Sequence, residues 1–177
     1  DKLMLSVDDG TTYEEVVAMQ KQANAIILTS QGISFLHGGV ELMRTKPCIV
    51  IGGENQGDCT GGYDHNSYRS PDAANQIDWN WKVDNIDVFN YYKGLIAIRR
   101  NINVFSYQTA EEVQNNVDFL ITPNQPGLIS YLITDEESAW NYTLVAHNNA
   151  SATRYLDLLG LEWNMVSKLV SIFPSST

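Results

Sequence analysis

The run Asn66-Ser67-Tyr68-Arg69-Ser70-Pro71-Asp72-Ala73-Ala74-Asn75-Gln76-Ile77-Asp78-Trp79-Asn80-Trp81-Lys82 gathers amides, carboxylates, a tyrosine and two tryptophans about one proline. No apolar period of helix or strand runs through it. As a core element its polar side chains would lose water without evident partners. Carboxylates and carboxamides are planar hydrogen-bond partners for hydroxyls, and an aromatic ring offers a face to an apolar surface. Together they are the groups that hold a sugar. An ordinary polar surface loop has the same composition, and residue types alone do not choose between the two.

A second group precedes it. Cys48 and Cys59 stand eleven positions apart in a segment rich in glycine (Gly52, Gly53, Gly57, Gly61, Gly62). That spacing permits a disulfide in an exported protein, and it equally permits two unrelated thiols. With His65 the pair lacks a fourth ligand and any tight paired spacing, so no metal site is expected. The triplets Asn141-Tyr142-Thr143 and Asn149-Ala150-Ser151 fit a glycosylation pattern that also arises by chance.

The frame around these residues is that of a globular protein. The 177 residues are 44% hydrophobic and 18% charged, enough to bury a core in one domain or two small ones. The net charge of −10 argues against a nucleic-acid partner, because phosphate binding needs clustered Lys and Arg. No apolar run approaches membrane-spanning length, so no membrane partner is expected.

Thr11 or Thr12 can cap a helix with Glu14 and Glu15 in its first turn. Val16, Val17, Met19, Ala23, Ile26 and Ile27 then recur at roughly helical spacing up to Gly32. A short apolar strand is expected over Ile33 to His37, ended by Gly38-Gly39. After the polar run, Asp87 is placed to cap a second helix that buries Phe89, Tyr92, Leu95, Ile96 and Ile98. Helix, buried strand, long loop and helix is the closing portion of a parallel barrel. From about Val104 the pattern changes to short segments, Val117–Ile121, Leu128–Ile133, Tyr142–His147 and Ala152–Tyr155, separated by turn residues. Such spacing predicts an antiparallel sandwich, with Glu111–Asn116 as a polar approach.

Three phrases resemble the type I pullulanases of the alpha-amylase superfamily of glycoside hydrolases. Gln31-Gly32-Ile33-Ser34-Phe35-Leu36-His37-Gly38-Gly39 with Glu41-Leu42-Met43-Arg44-Thr45-Lys46 is similar to that family's eighth barrel strand and its exit. Asn66 to Lys82 is similar to the loop that follows. Val88-Phe89-Asn90-Tyr91-Tyr92-Lys93-Gly94-Leu95-Ile96-Ala97-Ile98-Arg99 is similar to the last barrel helix. Asp1-Lys2-Leu3 matches the tail of a phrase that follows the family's last catalytic motif. The expected fold class is therefore α/β plus all-β: the C-terminal helix-strand-helix part of a (β/α)8 barrel over 1–103, then an antiparallel β-sandwich over 104–177.

The resemblance implies a debranching enzyme that hydrolyses alpha-1,6-glucosidic linkages in pullulan and starch-like alpha-glucans. Retaining cleavage uses two carboxylates roughly 5–5.5 Å apart. The family places these, and a third aspartate, on strands that should precede Asp1. No catalytic residue is assigned here, and these 177 residues alone are expected to be inactive. What they would supply is substrate positioning, with Asp72 and Asn75 bonding glucose hydroxyls, Tyr68 as a stacking face, and Asn66 or Arg69 adding a polar contact. Competing local roles exist. Asp72 after Pro71 can cap a short helix, Trp79 and Trp81 can be packing residues, and Asp78 can pair with Lys82 four positions on.

His37 is read as structural. Val40 stands where the family usually carries an acid or amide beside Glu41. No cofactor is expected, and calcium in the parent enzyme is left open. The expected partner is an alpha-glucan, with self-association of the isolated segment. The expected location is extracellular or at the cell surface, with a cytoplasmic alternative. The alternatives to an enzyme segment are a non-catalytic alpha-glucan-binding module and a structural domain; an amylase specific for alpha-1,4 linkages is the alternative within the enzymes.

Overall fold

The computed structural model describes residues 3–121 and 123–156. The chain divides into two compact units, Asp1–Gln20 with Leu36–Lys93, and Lys21–Phe35 with Gly94–Thr177.

Helix α1 spans Tyr13–Thr29. Its start is set by Thr12 rather than Thr11. The Thr12 backbone N–H donates to Glu15 Oε2 at 2.7 Å, and the Glu15 N–H returns to Thr12 Oγ1 at 3.3 Å. This reciprocal pair satisfies donors that a helix end otherwise leaves open. Val16, Ala25 and Leu28 are buried, whereas Ile26 and Ile27 of the same apolar series are exposed.

In the first unit, a 3-10 turn over Val40–Leu42 leads to two hairpins. Strands β1 (Val50–Ile51) and β2 (Glu54–Asn55) form one, and β3 (Cys59–Thr60) and β4 (Tyr63–Asp64) the other, both antiparallel. Two short helices follow, α2 (Asp72–Asn75) and α3 (Trp81–Asp84), and then α4 (Ile86–Asn101) begins.

Asp87 lies within the first turn of α4 rather than capping it. The hinge between α3 and α4 is Asn85. Its amide donates to the carbonyls of Leu42 and Trp81, both at 3.2 Å, and its Oδ1 accepts from the Tyr13 hydroxyl at 2.7 Å. The buried side of α4 is Val88, Tyr92 and Leu95, spaced i, i+4, i+7 as a helix face requires. Ile96, expected among them, is exposed.

The second unit holds a core of Ile102, Val104, Phe105, Tyr131, Ile133 and Val145. Helix α5 (Ala110–Asn116) stands where only a polar approach was expected. Its signal is Thr109-x-x-Glu112, a capping box in which the Glu112 N–H donates to Thr109 Oγ1 and Glu112 Oε2 accepts the Thr109 N–H. The Thr109 hydroxyl, joined by the Thr109 and Gln108 N–H groups, donates to the Glu112 carboxyl and holds it below its ordinary range.

Strands β5 (Val117–Phe119), β6 (Leu128–Thr134) and β7 (Tyr142–Asn148) form an antiparallel meander in which Tyr131 faces Val145 and Ile133 faces Thr143. The expected fourth strand, Ala152–Tyr155, is not one. Side chains tie it to the 123–127 turn instead, with the Tyr155 N–H donating to Gln125 Oε1 at 2.6 Å and Arg154 to the Pro126 carbonyl at 2.8 Å. The stretch Leu156 to Met165, whose Leu158-Leu159-Gly160-Leu161 suits strand, turn or helix equally on sequence, lies from 157 onward outside the described residues.

The expected strand at Ile33–His37 is not formed: among the described residues this segment joins no ladder and carries no regular secondary structure. Ile33 is 100% and Phe35 85% exposed. A parallel strand acquires its hydrogen bonds only from neighbours, and no described strand pairs with this segment.

Arg99 holds the second unit's turn together. Its guanidinium donates to the carbonyls of Leu28 and Ser30 at 2.9 and 2.8 Å, of Phe105 at 2.9 Å, and of Gly32. The first two are orphan acceptors at the end of α1, where a cation is also favoured by the helix dipole. Replacing Arg99 with Met keeps the stem and removes every donor. We expect a loss of roughly 3 kcal/mol in thermal or urea unfolding, given the cost of losing charge-assisted bonds. Lys should restore little of it, because a point charge cannot span several carbonyls.

His147 gives a pH-dependent term. The Thr29 hydroxyl donates to the Ala25 carbonyl at 2.8 Å, so the 3.2 Å contact to His147 Nε2 is made by an Nε2–H of the neutral ring. Burial lowers its pKa from 6.5. The unfolded chain therefore takes up the proton first, so this stability is complete above pH 6.5 and is lost as pH falls through the folded value. Melting temperature should fall on acidification below that point, and His147→Gln should flatten the slope in a pH series of thermal melts.

Candidate functional site

Between 57 and 75 the buried residues are Asp64, Ser67 and Ala74. With so little apolar surface to bury, this segment is held by polar bonds and a covalent bridge. Asp64, 1% exposed, is the first post. Its Oδ1 accepts the Asn66 N–H at 3.2 Å, and its Oδ2 accepts the Ser70 hydroxyl. The Asp64 N–H donates to the Lys46 carbonyl at 2.9 Å.

Ser67 is the second post. Its Oγ accepts from Lys46 Nζ at 2.7 Å and donates to Asn75 Oδ1 at 2.8 Å. The Asn75 amide then donates to the carbonyls of Ser67 and Ser70 at 2.7 and 3.2 Å. The Arg44 guanidinium donates to the Asn75 carbonyl and, at 3.2 Å, to the Gly38 carbonyl. Gly39 approaches the Arg44 stem with φ 97°, a left-handed conformation in which a Cβ would meet that side chain.

Cys48 and Cys59 form a disulfide with Cα atoms 5.6 Å apart. Both sulfurs are thereby removed from metal chemistry. Among the described residues no group of three or more His, Cys, Asp or Glu is placed to hold a metal ion.

The expected sugar-contacting residues separate into two roles in this geometry. Asn75 faces inward, and its amide is engaged with Ser67 and Ser70. Asn66, Tyr68 and Asp72 lie on the exposed side of the same loop. No hydrogen bond or ion pair among the described residues engages the carboxylate of Asp72 or the side-chain amide of Asn66. Tyr68 is 75% exposed, with the Arg69 guanidinium 5.2 Å from its ring centroid.

Asp72 does not cap α2: Pro71 holds the cap position, without a side-chain bond, and Asp72 begins the helix. Trp79, expected to pack, is 70% exposed, whereas Trp81 is half-buried. The Asp78–Lys82 pair is replaced by local bonds. Asp78 Oδ1 accepts the Asn80 N–H at 2.9 Å, and the Lys82 ammonium sits 4.3 Å from the centre of the Phe89 ring. Glu41 turns back to accept the Gly39 N–H at 3.1 Å, and His37 is exposed.

Asp64, Lys46, Arg44 and Gly57 were not anticipated. Gly57 packs against the Asp64 carboxylate and the Ser70 hydroxyl, so closely that a Cβ would collide with both. Gly57→Ala should displace Asp64 and cost roughly 1–3 kcal/mol, the usual range for overpacking. The check is hydrogen exchange at the Asn66 and Ser70 amides. We expect it to accelerate in the variant while the β6 and β7 amides keep their protection.

With this geometry in hand, comparison with known proteins places the chain. No protein-family model matches it. The pullulanase of Bacillus subtilis (strain 168) is 30% identical over 131 residues, 73% of this chain and 16% of the relative. Pullulanase A of Streptococcus pneumoniae is 27% identical over 161 residues, 77% of the chain and 12% of the relative. Among solved structures, the Paenibacillus barengoltzii pullulanase in complex with maltohexaose and alpha-cyclodextrin superposes with a TM-score of 0.72 at 34% identity. That match covers 89% of this chain and 22% of the other. The Bacillus acidopullulyticus pullulanase gives a TM-score of 0.67 at 30% identity, over 81% and 16%. The chain thus spans less than a quarter of each of these relatives while most of its own length is matched. In sequence and in structure, the chain belongs with the pullulanases as a segment of pullulanase type.

Proposed function

We propose that this chain is the substrate-positioning, C-terminal part of a debranching glycoside hydrolase that cleaves alpha-1,6-glucosidic linkages in pullulan and related alpha-glucans. In this reading 1–103 completes a (β/α)8 barrel and 104–177 forms a β-sandwich. The exposed side chains of Ile33 and Phe35 support the first part, since such apolar groups suit a strand flanked by barrel neighbours. The nucleophile and the acid–base carboxylate belong to the remainder of the enzyme, and this chain alone does not hydrolyse glucan. The Cys48–Cys59 bridge supports export to an oxidising compartment.

The observation that carries the proposal is the polar loop itself. Asn66, Tyr68 and Asp72 present their side chains from a backbone that Asp64, Ser67 and Asn75 hold from beneath. Preorganised donors and acceptors lose less entropy on binding a flexible sugar than mobile ones do. One relative, the Paenibacillus barengoltzii pullulanase, was crystallised with maltohexaose and, as a mutant, with maltotetraose, a ligand class that suits such a surface. Asp72 accepts from glucose hydroxyls, Asn66 adds an amide contact, and Tyr68 offers its ring face.

Calorimetric titration of the chain with maltotriose tests this. Binding without hydrolysis is expected, with Asp72→Ala weakening it by about ten- to a hundredfold, the worth of one or two charge-assisted bonds. A pullulan zymogram of the native polypeptide carrying this segment should show clearing. Binding that is indifferent to Asp72, or a native polypeptide without clearing, would contradict the proposal.

A further inference from the structure

We propose that the Cys48–Cys59 disulfide is a positioning element for the sugar-contacting loop, so that its reduction weakens glucan binding; this rests on the reading of that loop given above. The bridged residues flank the short strand that carries Asp64. On one side, the Cys48 N–H donates to the Gly62 carbonyl at 2.9 Å, Pro47 bridges Tyr63, and the Asp64 N–H donates to the Lys46 carbonyl at 2.9 Å. On the other side, Cys59 pairs directly with Asp64 in the β3–β4 hairpin.

That hairpin has two residues per strand. Ladders so short do not hold themselves in water. The Asp58–His65 contact across it, 3.3 Å, joins side chains that are 59% and 30% exposed and adds little. The covalent bond therefore fixes where Asp64 stands, and Asp64 in turn bonds Asn66 and Ser70, the two ends of the turn that presents Tyr68. Both cysteines are only half-buried, within reach of a small dithiol. Reduction would break the S–S bond and leave two thiols, with two electrons and two protons supplied by a dithiol that becomes its own cyclic disulfide. Closing the loop afresh would then cost conformational entropy.

The test uses the oxidised 177-residue chain, the same folded chain after dithiothreitol treatment, and the reoxidised chain, with maltotriose as ligand. Reduction should weaken binding by about tenfold or more, accelerate exchange at the Asn66 and Ser70 amides by a similar factor, leave the β6 and β7 amides unchanged, and be reversed by reoxidation. Affinity unchanged within about twofold would overturn the inference, as would unchanged exchange at Asn66 and Ser70. Loss of protection at β6 and β7 together with the loop would overturn it too, by making the bridge a global staple. If the oxidised chain binds no maltotriose, the sugar-binding reading fails, and the positioning claim is decided by exchange alone.

Discussion

A carboxylate taken out of water must be given hydrogen-bond donors, and the fold around Asp64 is arranged to give them. One oxygen takes the Asn66 amide proton, the other the Ser70 hydroxyl, and Gly57 leaves the space in which that oxygen sits. Because those donors belong to the exposed loop, satisfying Asp64 and shaping the loop are one constraint. Ser67 and Asn75 repeat the logic a turn later, with Lys46 and Arg44 supplying charge-assisted donors from the segment before the disulfide. A loop with a single buried apolar residue can keep a defined shape in this way, with the disulfide beside it.

The second unit solves a related problem with the sign reversed. There the groups in need are carbonyls at the end of α1 and in the following turn, and one guanidinium serves them. Lysine has the charge but lacks the planar fork that reaches separate acceptors. Tyr131 works beside it, donating its hydroxyl to the Thr29 carbonyl at 2.6 Å while its ring joins the core; burial raises its pKa and keeps that proton in place.

The elements with a repeating pattern were legible in the sequence. The helix after Thr12, the helix through Tyr92 and the strands β5 to β7 follow from periodicity and turn residues. Ile96 is exposed where its apolar character predicts burial, because that character does not reveal which arc of a helix meets the core. Helix α5 was overlooked although Thr109 and Glu112 carry its capping signature, because its middle is uniformly polar. Packing is the commoner role of a tryptophan and the one expected of Trp79, yet Trp79 is exposed. The candidate loop could be located from its residue types, but the division of labour within it could not. Nothing in the sequence marks Asp64 among the other acids, or Gly57 among its neighbouring glycines, since their importance arises only when residues distant in the chain meet.

The central claim is that the exposed edge of this loop, built on the Asp64 and Ser67 posts, meets an alpha-glucan. The most direct measurement is an amide chemical-shift titration of the chain with maltotriose. Saturable shifts confined to Asn66, Tyr68, Arg69, Asp72 and their immediate neighbours are the predicted result. Shifts that fall on β6 and β7 instead, or no shifts at concentrations that saturate the related enzymes, would contradict it.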